Sequence, residues 1–332
     1  MSLISQKNGT LLRYMESRKN CFPPLNESLA APASNCSLHL PTLTISGVIR
    51  VAITFVLFIL SITANAIFIV KLSKQHQKKA SRLKLLLDNL GAANLLETLI
   101  VMPMDGAWNI TVQWYGGEFL CKVLNFLKLF SMYCPAFLVV MISVDRCLTI
   151  TKPLKSLTKG LHTGKCMIGA VWLFSLLLAL PQLWLFKMIH YSEPFPFSQC
   201  ATLESFQGQW DQALYNFFTF GFLFVIPLFI MLICNSKIII KMTNILRPKF
   251  NQMDLSRSRN ILPQARIKTI KMTIAFATSF MICWTPYYVM GIWYWFDPDL
   301  HIKLPEPINH FLFVFGLLNP CFDPLIYGYF SL

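Results

Sequence analysis

Four stretches of this chain run without a charged residue for long enough to cross a bilayer: Val51–Val70, Cys166–Phe186, Ala213–Cys234 and Met272–Phe296. A hydrocarbon core of about 30 Å takes about 20 residues of helix. Three further segments have the length but carry isolated charges. Leu83–Trp108 holds Lys84, Asp88, Glu97 and Asp105; Phe119–Ile150 holds Lys122, Lys128, Asp145 and Arg146; Ile308–Tyr329 holds Asp323. The pattern predicts an all-α membrane protein with seven transmembrane helices. The second segment is polar enough to suit a re-entrant loop as well. Prolines at 181, 227, 286, 320 and 324 fall inside spans four to seven, where each frees a backbone carbonyl and favours a kink.

Composition excludes the main soluble alternatives. Hydrophobic residues make up 55% and charged residues 13%, against about 25% charged in soluble domains, so neither a soluble enzyme nor a basic disordered protein fits. The net charge of +14 would suit nucleic acid if it were clustered on one surface, but 20 of the 29 Lys and Arg residues lie within 71–84, 145–165 and 237–271. These loops fall on one side of the bundle, which is therefore cytoplasmic. The excess reads as topology and contact with anionic lipid, with no nucleic-acid partner.

Residues 1–45 are then an extracellular tail and 46–332 the helical domain. Sequons at Asn8, Asn26 and Asn35 lie in that tail, and a fourth at Asn109 also falls outside. No apolar run precedes Val51, so the first span is expected to act as signal anchor. The last residue, Leu332, follows Tyr329 so closely that no eighth helix and no C-terminal tail are expected.

Of the cysteines, Cys21, Cys36, Cys121 and Cys200 face the oxidising side. Cys121 opens the third span and Cys200 lies between spans four and five, so a bridge joining them would pin that loop over the bundle. The pairing of Cys21 and Cys36, with each other or with another loop, stays open. No C-x-x-C spacing or Cys/His cluster suggests a metal.

Charges inside a span are costly and mark candidate functional positions. At about 1.5 Å per residue, Lys128 lies roughly 10 Å below Cys121, and Arg146 roughly 27 Å below Lys128. Lys128 thus belongs to the outer half, and Asp145 and Arg146 meet the cytoplasm. An ion pair between Glu97 and Lys128 on neighbouring helices is expected. Asp105 and Asn109, four residues apart, share one helical face. Trp284, Tyr287 and Tyr288 cluster on the sixth span, with Tyr294 seven residues beyond Tyr287. Trp284 suits core packing, whereas each tyrosine hydroxyl needs a partner. Glu306 belongs at the outer mouth. Together with Asn216 these residues suit a ligand with both cationic and polar groups, such as a peptide. Glu193, Glu204, Asp297 and Asp299 read as solvated loop.

Several motifs in fixed order resemble the rhodopsin-like family of G-protein-coupled receptors over almost the whole length. They are Asn65, Asp145-Arg146, Trp172, Pro227, Cys283-Trp284-Thr285-Pro286 and Asn319-Pro320-Cys321-Phe322-Asp323-Pro324-Leu325-Ile326-Tyr327. Two departures stand out. The family's facing Asp and Asn of helices two and seven are exchanged as Asn94 and Asp323, and Cys147 replaces the usual Tyr after Asp145-Arg146. The resemblance implies a plasma-membrane receptor, without catalytic residues or cofactor, for a small peptide hormone blocked at both ends.

Carried over by residue, Asp105 and Lys128 would meet the peptide's N-terminal end with Asn216 nearby, and Asn109 its amidated C-terminus. Tyr287, Tyr288 and Tyr294 would line the pocket, Glu306 would select an arginine, and Asn309 would add a contact. Asn94, Glu97, Asp145, Arg146, Trp284, Pro286, Asp323 and Tyr327 would form the switch. The implied partner is a heterotrimeric G protein of the Gq/11 class, acting through phospholipase C and calcium, with weak arrestin recruitment. Relatives tie the tail to the second outer loop through a cysteine four residues beyond Cys200, where this chain has Glu204. A transporter would show inverted repeats, and none is seen. A light sensor needs a lysine in the seventh span, which has none. A receptor for a different small amidated peptide is the nearest alternative, and Glu306 is the discriminating residue.

Overall fold

The computed structural model describes residues 42–74, 81–152, 160–191, 196–202, 205–206, 208–246, 264–296 and 304–331. The tail sequons, Cys21, Cys36 and Glu204 lie outside the described residues. Helices form where apolar runs were found and extend beyond them: α1 Ile45–Lys74, α2 Arg82–Thr111 and α3 Gly117–Thr151. Next, α4 runs over Leu161–Ala179 and resumes after Pro181 as Gln182–Leu185, and α6 is Gln264–Phe296. Helix α5 comprises Gln209–Phe220, a π-helical turn Gly221–Val225 and Ile226–Leu246, and α7 comprises Glu306–Leu317 and Asn319–Ser331. Six of these helices are long and apolar enough to span a membrane, and the two halves of α7, bent by 40°, make the seventh.

Helix α2 is continuous rather than re-entrant. Ser81 caps its first turn by accepting from the Lys84 amide at 3.3 Å, and its polar residues Asn94, Glu97, Thr98, Asp105 and Asn109 are all buried. Charge in this segment therefore faces the bundle, not lipid, which reconciles its polarity with a span. The same logic applies to α3, whose most apolar window is 72% buried against 28% for α1, α4 and α5. It runs through the middle of the bundle. Two further prolines, Pro103 and Pro135, sit inside α2 and α3. The π turn of α5 ends just before Pro227 and widens the helix where the proline ring meets the preceding turn.

One element was absent from the sequence reading. The segment after α4 forms an antiparallel hairpin, β1 Lys187–Tyr191 with β2 Phe197–Ala201, in which Met188 stands opposite Cys200. It closes the end of the bundle that carries Cys121.

Candidate ligand site and switch network

The hairpin is fixed by covalent and polar links. Cys121 and Cys200 are bridged, with their Cα atoms 5.7 Å apart. Trp108 Nε1 donates to Gln199 Oε1 at 2.7 Å, Gln199 Nε2 donates to the Val112 carbonyl at 3.2 Å, and the Met188 amide donates to Glu118 Oε2 at 2.7 Å. Met104, Trp108, Trp114 and Phe186 pack around the disulfide. This apolar cluster anchors the hairpin to the Cys121 end of α2 and α3.

Asp105 is already engaged. It is buried and accepts from Arg50 Nε at 3.1 Å and Arg50 Nη2 at 2.5 Å. The same guanidinium meets His310 Nδ1 at 3.1 Å and lies 3.8 Å over the Phe313 ring. Planar guanidinium suits this combination of paired donation and ring stacking. Helices α1, α2 and α7 are thereby joined at one buried charge pair, and Arg50 and His310 were both missed from sequence. The signal was a lone cation one residue before the uncharged run at Val51. Helix α1 starts at Ile45, which draws Arg50 into the bundle.

Asn109 is also committed: it is buried and its Nδ2 donates to the Asp105 carbonyl at 2.7 Å. That nitrogen is where a glycan would attach, so the geometry opposes the sequon at Asn109. Lys128 is buried on α3, and Asn216 is buried on α5 with Oδ1 lacking a hydrogen-bond partner. Tyr287 and Tyr288 are buried within an aromatic group: Trp284–Tyr287 at 5.7 Å, Tyr287–Tyr288 at 5.1 Å, Phe224–Tyr288 at 4.9 Å and Tyr287–Phe313 at 6.1 Å between centroids. Asn309 is half-buried on α7. The backbones of Tyr294 and Glu306 lie in α6 and α7, and their side chains are outside the described residues.

The expected Glu97–Lys128 ion pair does not form. Glu97 lines a small cavity with Met132 of α3, which lies one helical turn deeper than Lys128, roughly 6 Å along the axis. Three residues before Glu97, Asn94 Nδ2 donates to Asp323 Oδ2 at 3.2 Å. The exchanged residues do face each other, as their positions implied. Asn65 Nδ2 reaches the Pro320 carbonyl at 2.8 Å, tying α1 to the bend of α7, and Tyr327 packs edge-on against Phe68 at 4.9 Å. Trp172 Nε1 donates to Asn89 Oδ1 at 3.3 Å.

At the opposite end of the bundle from the hairpin, the Asp145 carboxylate accepts from both Arg82 and Arg146. Asp145 is buried, and Arg82 reaches it from the start of α2. Sequence counting placed Arg82 among the loop cations and so missed this role. Cys147, in place of the usual tyrosine, packs with Cys234, Ile238 and Ile270.

The comparisons agree with this arrangement. Residues 64–327 match the family described as 7 transmembrane receptor (rhodopsin family). The gonadotropin-releasing hormone receptor of Homo sapiens is 57% identical over 326 residues, covering 96% of this chain and 98% of its own. The receptors of the same name from Canis lupus familiaris (57%, covering 93% of this chain and 98% of their own) and Equus caballus (58%, covering 94% and 99%) are similar to the same degree. With multiple spanning helices, the facing Asn94–Asp323 pair and this likeness over nearly the full length, the chain is a multi-pass plasma-membrane receptor belonging to the rhodopsin family, of the gonadotropin-releasing hormone receptor type.

Proposed function

We propose that this receptor binds gonadotropin-releasing hormone, an amidated decapeptide, at the hairpin end of the bundle and activates a Gq/11-class G protein. The observation that carries the reading is the 57% identity to the human receptor of that name across 96% of the chain. Lys128, Asn216 and Asp105 take the peptide's N-terminal end, Asn109 its terminal amide, and Tyr287, Tyr288 and Tyr294 the residues between. Asn309 adds a polar contact. Asp105 does not wait unpaired: a donor on the peptide competes with Arg50 for its oxygens, so binding loosens the link among α1, α2 and α7.

The aromatic group around Trp284 carries that change to α6, which pivots at Pro286. Outward motion of the far end releases Arg146 from Asp145 for the G protein. Glu306 selects the hormone's arginine by charge pairing. The test compares the arginine-containing hormone with a glutamine analogue on wild type and Glu306→Gln. A potency advantage for arginine in wild type, lost in the variant, supports the assignment; an advantage that survives in Glu306→Gln contradicts it.

A further inference from the structure

A buried cation without a partner sits at the start of α2. Lys84 is 8% exposed, and its Nζ, shielded from solvent, makes no hydrogen bond among the described residues. A buried ammonium is costly unless it is paired and hydrogen-bonded, so the position calls for an anion. The adjoining sequence supplies none. Residues 71–84 hold six Lys and Arg and no acid, and Asp88, one turn on along α2, does not bond to the ammonium. Arg82 beside it is committed to Asp145.

Lys84 is the third residue of α2, and helical Cα–Cβ bonds tilt toward the N-terminus. Its stem therefore runs toward the first turn. Ser81 serves two amides of that turn: its side chain accepts from Lys84 at 3.3 Å and its carbonyl from Leu85 at 3.1 Å. The Leu83 amide has no acceptor within the helix, and the positive end of the helix dipole reinforces the ammonium. The turn lies at the end of the bundle opposite the hairpin, the side that the basic loops predict to be cytoplasmic. A Cβ at Gly91 would stand 2.9 Å from the Phe68 ring, so α1 and α2 touch there. Lys84, seven residues earlier on the same face, lies roughly 10 Å nearer that end. It is thus level with the end of α1, where Lys71 and Lys74 are exposed.

We propose that Lys84 and the first turn of α2 bind a phosphomonoester group, carried by an inositol lipid of the cytoplasmic leaflet. Such a group brings about −1.5 to −2 charge and three strong acceptor oxygens. That is enough to accept from Lys84 Nζ and the Leu83 amide together, with Lys71 and Lys74 as outer charges. The four-carbon stem of Lys84 lets Nζ meet the phosphate at headgroup depth. A phosphodiester offers fewer free oxygens and less charge, so a single-phosphate lipid fits less well. This is a built site within the general attraction of basic loops to anionic lipid.

The experiment measures the thermal midpoint of the full chain in nanodiscs without peptide, so its outcome is independent of the hormone assignment. Discs of phosphatidylcholine are compared with discs containing phosphatidylinositol bisphosphate, or phosphatidylserine at equal charge. Wild type should gain about 2–4 °C from the phosphoinositide and clearly less from phosphatidylserine. Lys84→Met should melt at or above wild type in phosphatidylcholine, since it removes an unpaired buried charge, and should lose the gain. Lys71→Met, which removes an exposed charge, should keep most of it. Soluble inositol trisphosphate added to phosphatidylcholine discs separates the sources. A matching gain that needs Lys84 assigns the site to a free phosphomonoester, and no gain assigns it to the lipid. Four results overturn the proposal: no gain in wild type, an equal gain from phosphatidylserine, a gain retained by Lys84→Met, or Lys84→Met melting below wild type in phosphatidylcholine, which would reveal a protein partner for the ammonium.

Discussion

Removing Arg50 should be among the most damaging single changes in this receptor. The guanidinium is 1% exposed and its partner Asp105 2%, with two hydrogen bonds of 3.1 and 2.5 Å between them and a third contact to His310. Arg50→Met deletes the cation and leaves a carboxylate buried among α1, α2 and α7. Breaking a buried pair from one side costs about 3–5 kcal/mol, or roughly a hundred- to several-thousand-fold in the folded population. Asp105→Leu should cost a similar amount from the other side.

The double variant Arg50→Met/Asp105→Leu removes both charges, and well-packed apolar replacements of a buried pair are often neutral. It should therefore recover most of the loss. Surface expression by antibody labelling of intact cells, together with thermal midpoints of the solubilised protein, reads out all three. Single variants that express and melt like wild type would refute the reasoning, as would a double variant as impaired as the two losses added together.

Other changes probe separate links. Asn94→Asp places a second carboxylate 3.2 Å from the Asp323 oxygen, close to Glu97, and should abolish surface expression; normal expression in a labelling assay would show that the site tolerates the added charge. Cys121→Ser opens a bridge spanning 79 residues, a cross-link worth about 4.5 kcal/mol by loop-closure entropy. It should eliminate specific peptide binding, which saturation binding on intact cells would measure. Asn109 should carry no glycan, because its Nδ2 is held by the Asp105 carbonyl. Peptide mapping after enzymatic deglycosylation in heavy-oxygen water should find no label there, and a labelled Asn109 would contradict the geometry.

The helices were legible because bilayer thickness demands long apolar runs. The depth of each residue along its helix was legible too, from the fixed rise per residue. That sufficed for Cys121, which meets Cys200, and for Asn94 and Asp323, which the family resemblance aligned. Partner choice between helices was not legible, since it depends on rotation about each axis and on relative height. Glu97 and Lys128 differ by about one turn, so a pair that looked natural on charge alone does not form. Arg50 and Arg82 lay at the edges of polar segments, where a cation is ordinarily solvated, and only the helix extensions turn them inward. The hairpin Lys187–Ala201 escaped because its strands are five residues each and sit beside a long apolar helix that dominates the local pattern.

The central claim is that this chain converts binding of an amidated decapeptide into a Gq/11 signal. It is tested most directly by intracellular calcium in cells expressing the full chain, on addition of gonadotropin-releasing hormone, with Lys128→Gln in parallel. A calcium response in wild type, right-shifted in a Lys128→Gln variant shown to reach the surface, is the predicted result. Silence from surface-expressed wild type would contradict the account.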